Sequence, residues 1–110
     1  VRPTMYGSYH KILNASRISA TEKNVVVVGN ICESGDILSR SGDEITRKMS
    51  SPEIGERLAF LDTGAYGFSM SSQYNFRPRP AEVLVHQGQS RLIRRAETFE
   101  DLTQCFVDFN

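Results

Sequence analysis

The sequence Asn24-Val25-Val26-Val27-Val28-Gly29-Asn30-Ile31 is the most regular stretch of the chain, and it sets the expected fold. Four consecutive β-branched residues favour an extended strand. Because the run is apolar on both faces, it predicts a strand that is buried on both sides. The next five residues, Cys-Glu-Ser-Gly-Asp at 32–36, are small or polar, so the chain is expected to leave the sheet there in a loop.

Further short strands and one helix are predicted after this loop. Thr98 followed by Asp101 resembles a capping box and predicts a short helix over 98–105. The aromatic and small residues of 64–75 have no period of two and predict a loop with one helical turn. One or two short strands around a turn at 41–43 are expected within 37–49. A further strand is expected at 57–62, and a hairpin at 81–86 and 91–95 across 87–90.

Short strands separated by turn signals predict a mainly β fold, a small antiparallel sandwich or barrel with one or two short helices. The length of 110 residues predicts a single domain, 1–110, with one modest core. Hydrophobic residues make up 39% and charged residues 24%, with a mean hydropathy of -0.35, which is typical of a globular protein.

Charge and cysteine content exclude several classes of function. Thirteen basic and thirteen acidic side chains give no net charge, so no overall field attracts nucleic acid or an anionic membrane. The apolar run at 25–28 is far too short to span a bilayer. Cys32 and Cys105 are too few for a disulfide scaffold and lack the spacing of a zinc site. We therefore expect free thiols, no metal and a cytoplasmic protein.

Cys32 and Glu33 form the first candidate site. A thiol and a carboxylate on a loop at the end of a strand are positioned by a rigid scaffold. Adjacent side chains of a regular strand point to opposite faces, so the two can serve one site only if the chain bends, which Gly35 would permit. The alternative is that Cys32 is a small buried apolar residue and Glu33 a solvated loop acid.

Three further side chains are candidates for ligand binding. Tyr66 lies between Ala65 and Gly67, where a phenol can donate a hydrogen bond to an anion, although a core tyrosine fits equally well. Arg2 and Tyr6 are four residues apart, so both can reach one carboxylate if the segment curls. The alternative for this pair is a frayed terminus with a solvated arginine.

Four segments, in order over nearly the whole chain, carry a family resemblance. They are Val-Arg-Pro-Thr-Met-Tyr-Gly-Ser-Tyr-His at 1–10, Gly-Asn-Ile-Cys-Glu-Ser-Gly-Asp at 29–36, Asp-Thr-Gly-Ala-Tyr-Gly-Phe-Ser-Met-Ser-Ser-Gln-Tyr-Asn at 62–75 and Arg-Pro-Arg-Pro-Ala-Glu-Val at 77–83. Together they resemble the C-terminal part of the diaminopimelate decarboxylases. Ornithine and arginine decarboxylases of the same fold group share the cysteine but typically have aspartate after it, so Glu33 favours the diaminopimelate branch.

The resemblance implies a pyridoxal-phosphate-dependent carboxy-lyase that converts meso-2,6-diaminopimelate to L-lysine and CO2. It implies an N-terminal (β/α)8 barrel, a C-terminal β domain that this chain would supply, and a homodimer partner. Cys32 matches the proton donor, which enters the active site of the other subunit, and Glu33 matches a contact to the distal amino group of the substrate. Arg2 and Tyr6 match residues that hold a substrate carboxylate, and Tyr66 matches a tyrosine close to both cofactor and substrate.

The chain departs from the family in having no counterpart of the lysine that anchors the cofactor. Lys11, Lys23 and Lys48 lie in polar or loop contexts, so that lysine is expected in the barrel. The 110 residues are therefore expected to be part of a longer protein and inactive alone. Two alternatives stay open: a decarboxylase for ornithine, arginine or a carboxylated polyamine, and a non-catalytic homologue that acts as a dimerisation or regulatory module.

Overall fold

A computed structural model describes residues 1–19 and 21–108. The chain divides into two units, with the boundary between Met70 and Ser71. Mainly short strands with short helices make up both units, as predicted. The first unit contains α1 (Pro3–Tyr6), β1 (Ile12–Asn14), β2 (Glu22–Val25), β3 (Arg47–Ser50), β4 (Leu58–Phe60) and α2 (Gly64–Gly67). The second contains a 3₁₀ helix (Tyr74–Phe76), β5 (Glu82–His86), β6 (Gln89–Arg94) and α3 (Phe99–Thr103).

The first unit contains two antiparallel ladders. Strand β1 pairs with β4, with Ile12 opposite Phe60, and β2 pairs with β3, with Val25 opposite Arg47. Strand β4 confirms the strand predicted at 57–62, whereas β1 was not predicted. The turn predicted inside 37–49 is also present, because Ser41 and Glu44 bridge across two intervening residues.

The prediction of a long, buried strand over 24–31 is wrong in both the length and the burial of the strand. Strand β2 ends at Val25, after which only Val28 bridges an opposing residue, Ile37. The backbone N–H of Val27 donates to the hydroxyl of Ser39 at 2.9 Å, so a side chain interrupts the ladder there. Val28 is 61% exposed, so the run is not covered on both faces.

A buried polar side chain fixes the end of β1. Asn14 is 1% exposed, and its amide donates to Glu56 at 2.8 Å. Its side-chain oxygen accepts the backbone N–H groups of Ser16 and Arg17 at 3.1 and 3.0 Å. The backbone N–H of Glu53 and then the Asn14 amide lower the pKa of Glu56, because both donate to its charged form. The turn after β1 is therefore held by a satisfied polar network.

The second unit confirms the predicted hairpin and helix. Gln87 and Gly88 have φ of 48° and 74° and form a two-residue turn between β5 and β6, tighter than the four-residue connection expected. Thr98 and Asp101 form the capping box of α3. The Arg95 guanidinium holds the pKa of the Asp101 carboxyl well below its usual range.

Apolar side chains of the hairpin remain open to solvent. Val85 is 71% exposed, and Val83 and Leu92 are also exposed. A two-stranded hairpin needs a further layer against its apolar residues to be stable in water. Among residues 1–19 and 21–108 no helix has the length and apolar character needed to cross a membrane.

Candidate functional site

The first pair of candidate residues lies on one helical turn. In α1 the backbone N–H of Tyr6 donates to the carbonyl of Arg2 at 3.0 Å, so the two side chains, four residues apart, share a face. Gly7, at φ 62°, ends the turn and donates to the carbonyl of Pro3. Within residues 1–19 and 21–108, the Arg2 guanidinium donates only to the sulfur of Met5, at 3.7 Å, and Tyr6 is exposed. The predicted curl is confirmed, and Arg2 is exposed, as the alternative of a solvated arginine also expects.

Cys32 lies at the bend of a loop that the structure fixes on both sides. Its φ is 60°, in the left-handed region that non-glycine residues rarely adopt, so the bend occurs at Cys32 itself and not at Gly35. The thiol is free and exposed, and the alternative of a buried apolar Cys32 is therefore wrong. Because β2 ends at Val25 and the chain bends at Cys32, strand alternation does not force the side chains of Cys32 and Glu33 to opposite faces, and the two can serve one site.

Glu33 combines a structural contact with an exposed charge. Its Oε1 accepts the backbone N–H of Gly35 at 3.0 Å and the Ser34 hydroxyl at 3.5 Å, which closes the turn after Cys32. Among the residues described, Oε2 accepts no hydrogen bond. Glu33 is therefore more than a solvated loop acid, because its side chain is oriented by the loop while one oxygen stays available for a ligand.

Backbone and side-chain bonds from Asp36 hold the Cys32 loop in shape. The Gly29 N–H donates to the Asp36 carbonyl at 3.0 Å, and the Asp36 N–H donates to the Glu33 carbonyl at 3.0 Å. The Asp36 carboxylate in turn accepts the N–H of Ile31 at 3.1 Å. A Cβ at Gly29 would overlap this carboxylate, so the close approach requires glycine.

We expect Gly29→Ala to destabilise the protein by about 0.5 to 1.5 kcal/mol, the usual net contribution of one hydrogen bond. The added methyl displaces the Asp36 carboxylate from the N–H of Ile31, which loses its acceptor. Thermal unfolding of the full-length protein measures the change. Gly64→Ala is the matched control, because an added Cβ there would meet no atom within 4 Å and Gly64 has no positive φ. Gly42→Ala is unsuitable, because its φ of 59° would strain any alanine. Equal stability of Gly29→Ala and Gly64→Ala would contradict the prediction.

Tyr66 lies on a tight turn at the end of the first unit. Within α2, Ala65 (φ -67°, ψ 129°) and Tyr66 (φ 63°, ψ -7°) have the dihedrals of a type II turn. The second central position of such a turn usually holds glycine, so a tyrosine there is strained. Tyr66 is 69% exposed, and the alternative of a core tyrosine is therefore wrong. The loop predicted over 64–75 is confirmed, but short helical elements lie at both of its ends, Gly64–Gly67 and Tyr74–Phe76, where a single helical turn was expected.

The candidate residues form three separate local structures: the α1 pair, the Cys32 loop and the Tyr66 turn. Among the described residues no hydrogen bond or ion pair joins one of these structures to another through the candidate side chains. All five of these side chains are exposed. The structure thus leaves all five side chains accessible from solvent. Residues 1–19 and 21–108 also contain no group of three or more metal-ligating side chains.

The surroundings of the three lysines show whether this chain could anchor the cofactor that the resemblance implies. Lys11, Lys23 and Lys48 are all exposed, and Lys48 pairs with Glu22 at 3.5 Å. A lysine that bonds to a carbonyl cofactor is normally desolvated in a pocket. As the structure places them, the three exposed lysines do not have the surroundings of such an anchor.

Arg47 is a residue that the sequence analysis missed. It donates to main-chain oxygens 8 and 37 residues away, so no local pattern marks it. Ser39 was missed for the same reason, since its hydroxyl bonds to Val27 twelve residues earlier.

Comparison with known proteins finds one family. A family model described as "Pyridoxal-dependent decarboxylase, C-terminal sheet domain" matches residues 1–64. The diaminopimelate decarboxylase of Methanothermobacter thermautotrophicus is 50% identical over 103 residues, which are 93% of this chain and 23% of the relative. That of Escherichia coli K12 is 47% identical over 109 residues, covering 93% of this chain and 26% of the relative.

Solved structures give the same result. A crystal structure of diaminopimelate decarboxylase is 48% identical with a TM-score of 0.84, covering 94% of this chain and 26% of that one. The diaminopimelate decarboxylase of M. jannaschii in complex with L-lysine is 39% identical with a TM-score of 0.83, covering 97% of this chain and 24% of that one. This chain thus spans about a quarter of the length of its relatives.

Proposed function

This chain belongs to the family of C-terminal sheet domains of pyridoxal-dependent decarboxylases, and on that premise we propose that it serves the conversion of meso-2,6-diaminopimelate to L-lysine and CO2. The observation that carries the proposal is the Cys32 loop, which holds an exposed thiol next to an oriented carboxylate. Relatives up to 50% identical are named diaminopimelate decarboxylases, which supports this substrate.

The roles of the side chains follow from their chemistry. When bound, pyridoxal phosphate would supply the electron sink for the pair left by departing CO2. The Cys32 thiol donates its proton to the carbon that CO2 has left, and solvent returns a proton to the sulfur.

Substrate binding divides between the other candidates. Glu33 binds the distal ammonium group with its carboxylate, a charge-assisted contact. Arg2 and Tyr6 hold a substrate carboxylate, for which the planar guanidinium supplies two parallel donors. Tyr66 donates from its phenol at the boundary between substrate and cofactor. Each of these groups is exposed and therefore accessible to a ligand.

The whole enzyme is proposed to contain more than this domain. A (β/α)8 barrel would carry the anchoring lysine, and two subunits would pair so that Cys32 of one serves the site of the other. The short span relative to the relatives and the open apolar residues of the β5–β6 hairpin support this arrangement. The free, exposed cysteines support a reducing, cytoplasmic setting.

The test uses the full-length protein loaded with pyridoxal phosphate. We expect CO2 release from meso-diaminopimelate, with one L-lysine formed for each CO2, and much slower release from ornithine and arginine. Release mainly from ornithine, arginine or a carboxylated polyamine would replace the substrate in the proposal. No release from any of these compounds would favour a non-catalytic dimerisation or regulatory module.

A further inference from the structure

Asp36 is hydrogen-bonded to the residues on both sides of Cys32. Its carboxylate accepts the backbone N–H of Ile31 at 3.1 Å, and its own backbone N–H donates to the carbonyl of Glu33 at 3.0 Å. Asp36 therefore joins the chain before Cys32 to the chain after it, and the residue that carries the thiol lies between the two contacts.

The Asp36 carboxylate is confined from a second side by Gly29. Both of its oxygens lie where the side chain of any other residue at position 29 would be. The Gly29 N–H donates to the Asp36 carbonyl at 3.0 Å, so the two backbones also meet at this point. Asp36 is half-buried, and the packing on Gly29 together with the bond to Ile31 restricts its side chain.

This restraint matters because the backbone of Cys32 is strained. Its φ of 60° lies in the left-handed region, which is unfavourable for a residue with a side chain. Such a conformation persists only where the surrounding structure fixes it. The bonds of Asp36 to the residues before and after Cys32 supply that restraint. A fixed backbone also fixes the direction of the Cα–Cβ bond, and so limits the positions that the thiol can reach.

We propose that Asp36 is a positioning residue for the proton donor, whose carboxylate holds Cys32 in the conformation from which the thiol delivers its proton. The inference rests on the proposed function, in which Cys32 protonates the carbon that CO2 has left. It concerns only the loop of the subunit that supplies Cys32, so it holds for a thiol that enters the active site of the other subunit. Reacting atoms must lie about 3 to 3.5 Å apart, and a misplacement of about 1 Å can lower the rate about 10²-fold.

The first experiment measures single-turnover kinetics of the full-length, cofactor-loaded enzyme with meso-diaminopimelate. Asp36→Ala removes the acceptor of the Ile31 N–H and should slow lysine formation about 10- to 100-fold, because the donor is then misplaced. Asp36→Asn keeps an oxygen that can accept this N–H and should retain a rate within about threefold of wild type. Asp43→Ala, at an exposed acid of the same unit, is the matched control and should leave the rate unchanged. An Asp36→Asn enzyme as slow as Asp36→Ala would overturn the inference.

A double-mutant cycle with Cys32→Ala distinguishes positioning from general destabilisation. If Asp36 acts through the thiol, Asp36→Ala should slow the Cys32→Ala enzyme by less than about twofold, because no donor is left to misplace. The same fractional loss in both backgrounds would mean that Asp36 only stabilises the fold, and would overturn the inference. A wild-type rate in Cys32→Ala would overturn the proposed role of Cys32 and this inference together, whereas a slow Cys32→Ala with a wild-type rate in Asp36→Ala would overturn the inference alone.

Amide hydrogen exchange of the full-length, cofactor-free protein measures the loop independently of activity. The Ile31 N–H should exchange about 10-fold faster in Asp36→Ala, as the loss of one hydrogen bond predicts, and close to the wild-type rate in Asp36→Asn. Wild-type exchange in Asp36→Ala would mean that the carboxylate does not hold the loop, and would overturn the inference whatever the rate of lysine formation.

Discussion

Replacing Cys32 with alanine is expected to lower kcat for lysine formation by about 10² to 10⁴-fold, the usual contribution of a positioned general acid. The methyl group of alanine cannot donate the proton that replaces CO2, so the step must wait for solvent. Cofactor binding should be unchanged, because the thiol lies on an exposed loop that supplies no anchor for the cofactor. Single-turnover kinetics and the absorbance of bound pyridoxal phosphate measure the two quantities in the full-length enzyme.

The effect of backbone strain at Cys32 on activity must be distinguished from the effect of losing the thiol. A φ of 60° is unfavourable for residues other than glycine. Cys32→Gly therefore removes the thiol and also relieves the backbone strain at this position. We expect Cys32→Gly to be as inactive as Cys32→Ala. Cys105→Ala is the matched control at the other free, exposed cysteine and should turn over normally. Wild-type turnover in Cys32→Ala would remove Cys32 from the mechanism.

Local signals in the sequence predicted the second unit well. The hairpin is encoded by two apolar runs around Gly88, and the helix by Thr98 and Asp101, whose side chains form the capping box. In both cases the interacting residues are close in sequence, so their pattern contains the information that the fold needs. The length of the turn was missed because Gln87 adopts a positive φ that its residue type does not favour.

The first unit shows where such reasoning fails. The valine run at 25–28 has high strand propensity, but propensity does not specify a partner, and the Ser39 hydroxyl takes the N–H of Val27. Strand β1 was missed because its three residues end in Asn14, a polar side chain that is buried only through its bonds to Glu56 and the following turn. The contacts from Ser39 to Val27 and from Glu56 to Asn14 join residues 12 and 42 positions apart, so no local pattern contains them.

The candidate site was predicted in part. Placing Cys32 and Glu33 on a loop, and Arg2 and Tyr6 on a curled segment, needed only spacing, and the structure confirms both placements. The roles of these residues came from the family resemblance and stay predictions. The contacts of Arg47 could not be predicted from the sequence, because its acceptors lie in two other segments that come together only in the folded chain.

Replacing Glu33 with glutamine is expected to lower kcat/KM for meso-diaminopimelate by about 10- to 150-fold, the equivalent of a charge-assisted hydrogen bond of about 1.5 to 3 kcal/mol. The amide oxygen of glutamine can still accept the Gly35 N–H, so the turn is kept while the charge that attracts the distal ammonium is lost. Steady-state kinetics of the full-length enzyme should show most of the change in KM, since this contact forms on substrate binding.

Glu44 offers a control with the same local geometry in another segment. Its Oε1 accepts the N–H of Thr46, two residues on, at 2.8 Å, as Glu33 does with Gly35. Glu44→Gln therefore removes one negative charge from a similar turn of the same unit and should leave kcat/KM unchanged. Equal losses in the two variants would mean that charge near the site, and not contact with the ammonium, explains the effect. A wild-type kcat/KM in Glu33→Gln would mean that Glu33 only closes its loop, and substrate choice would have to be sought outside the Cys32 loop.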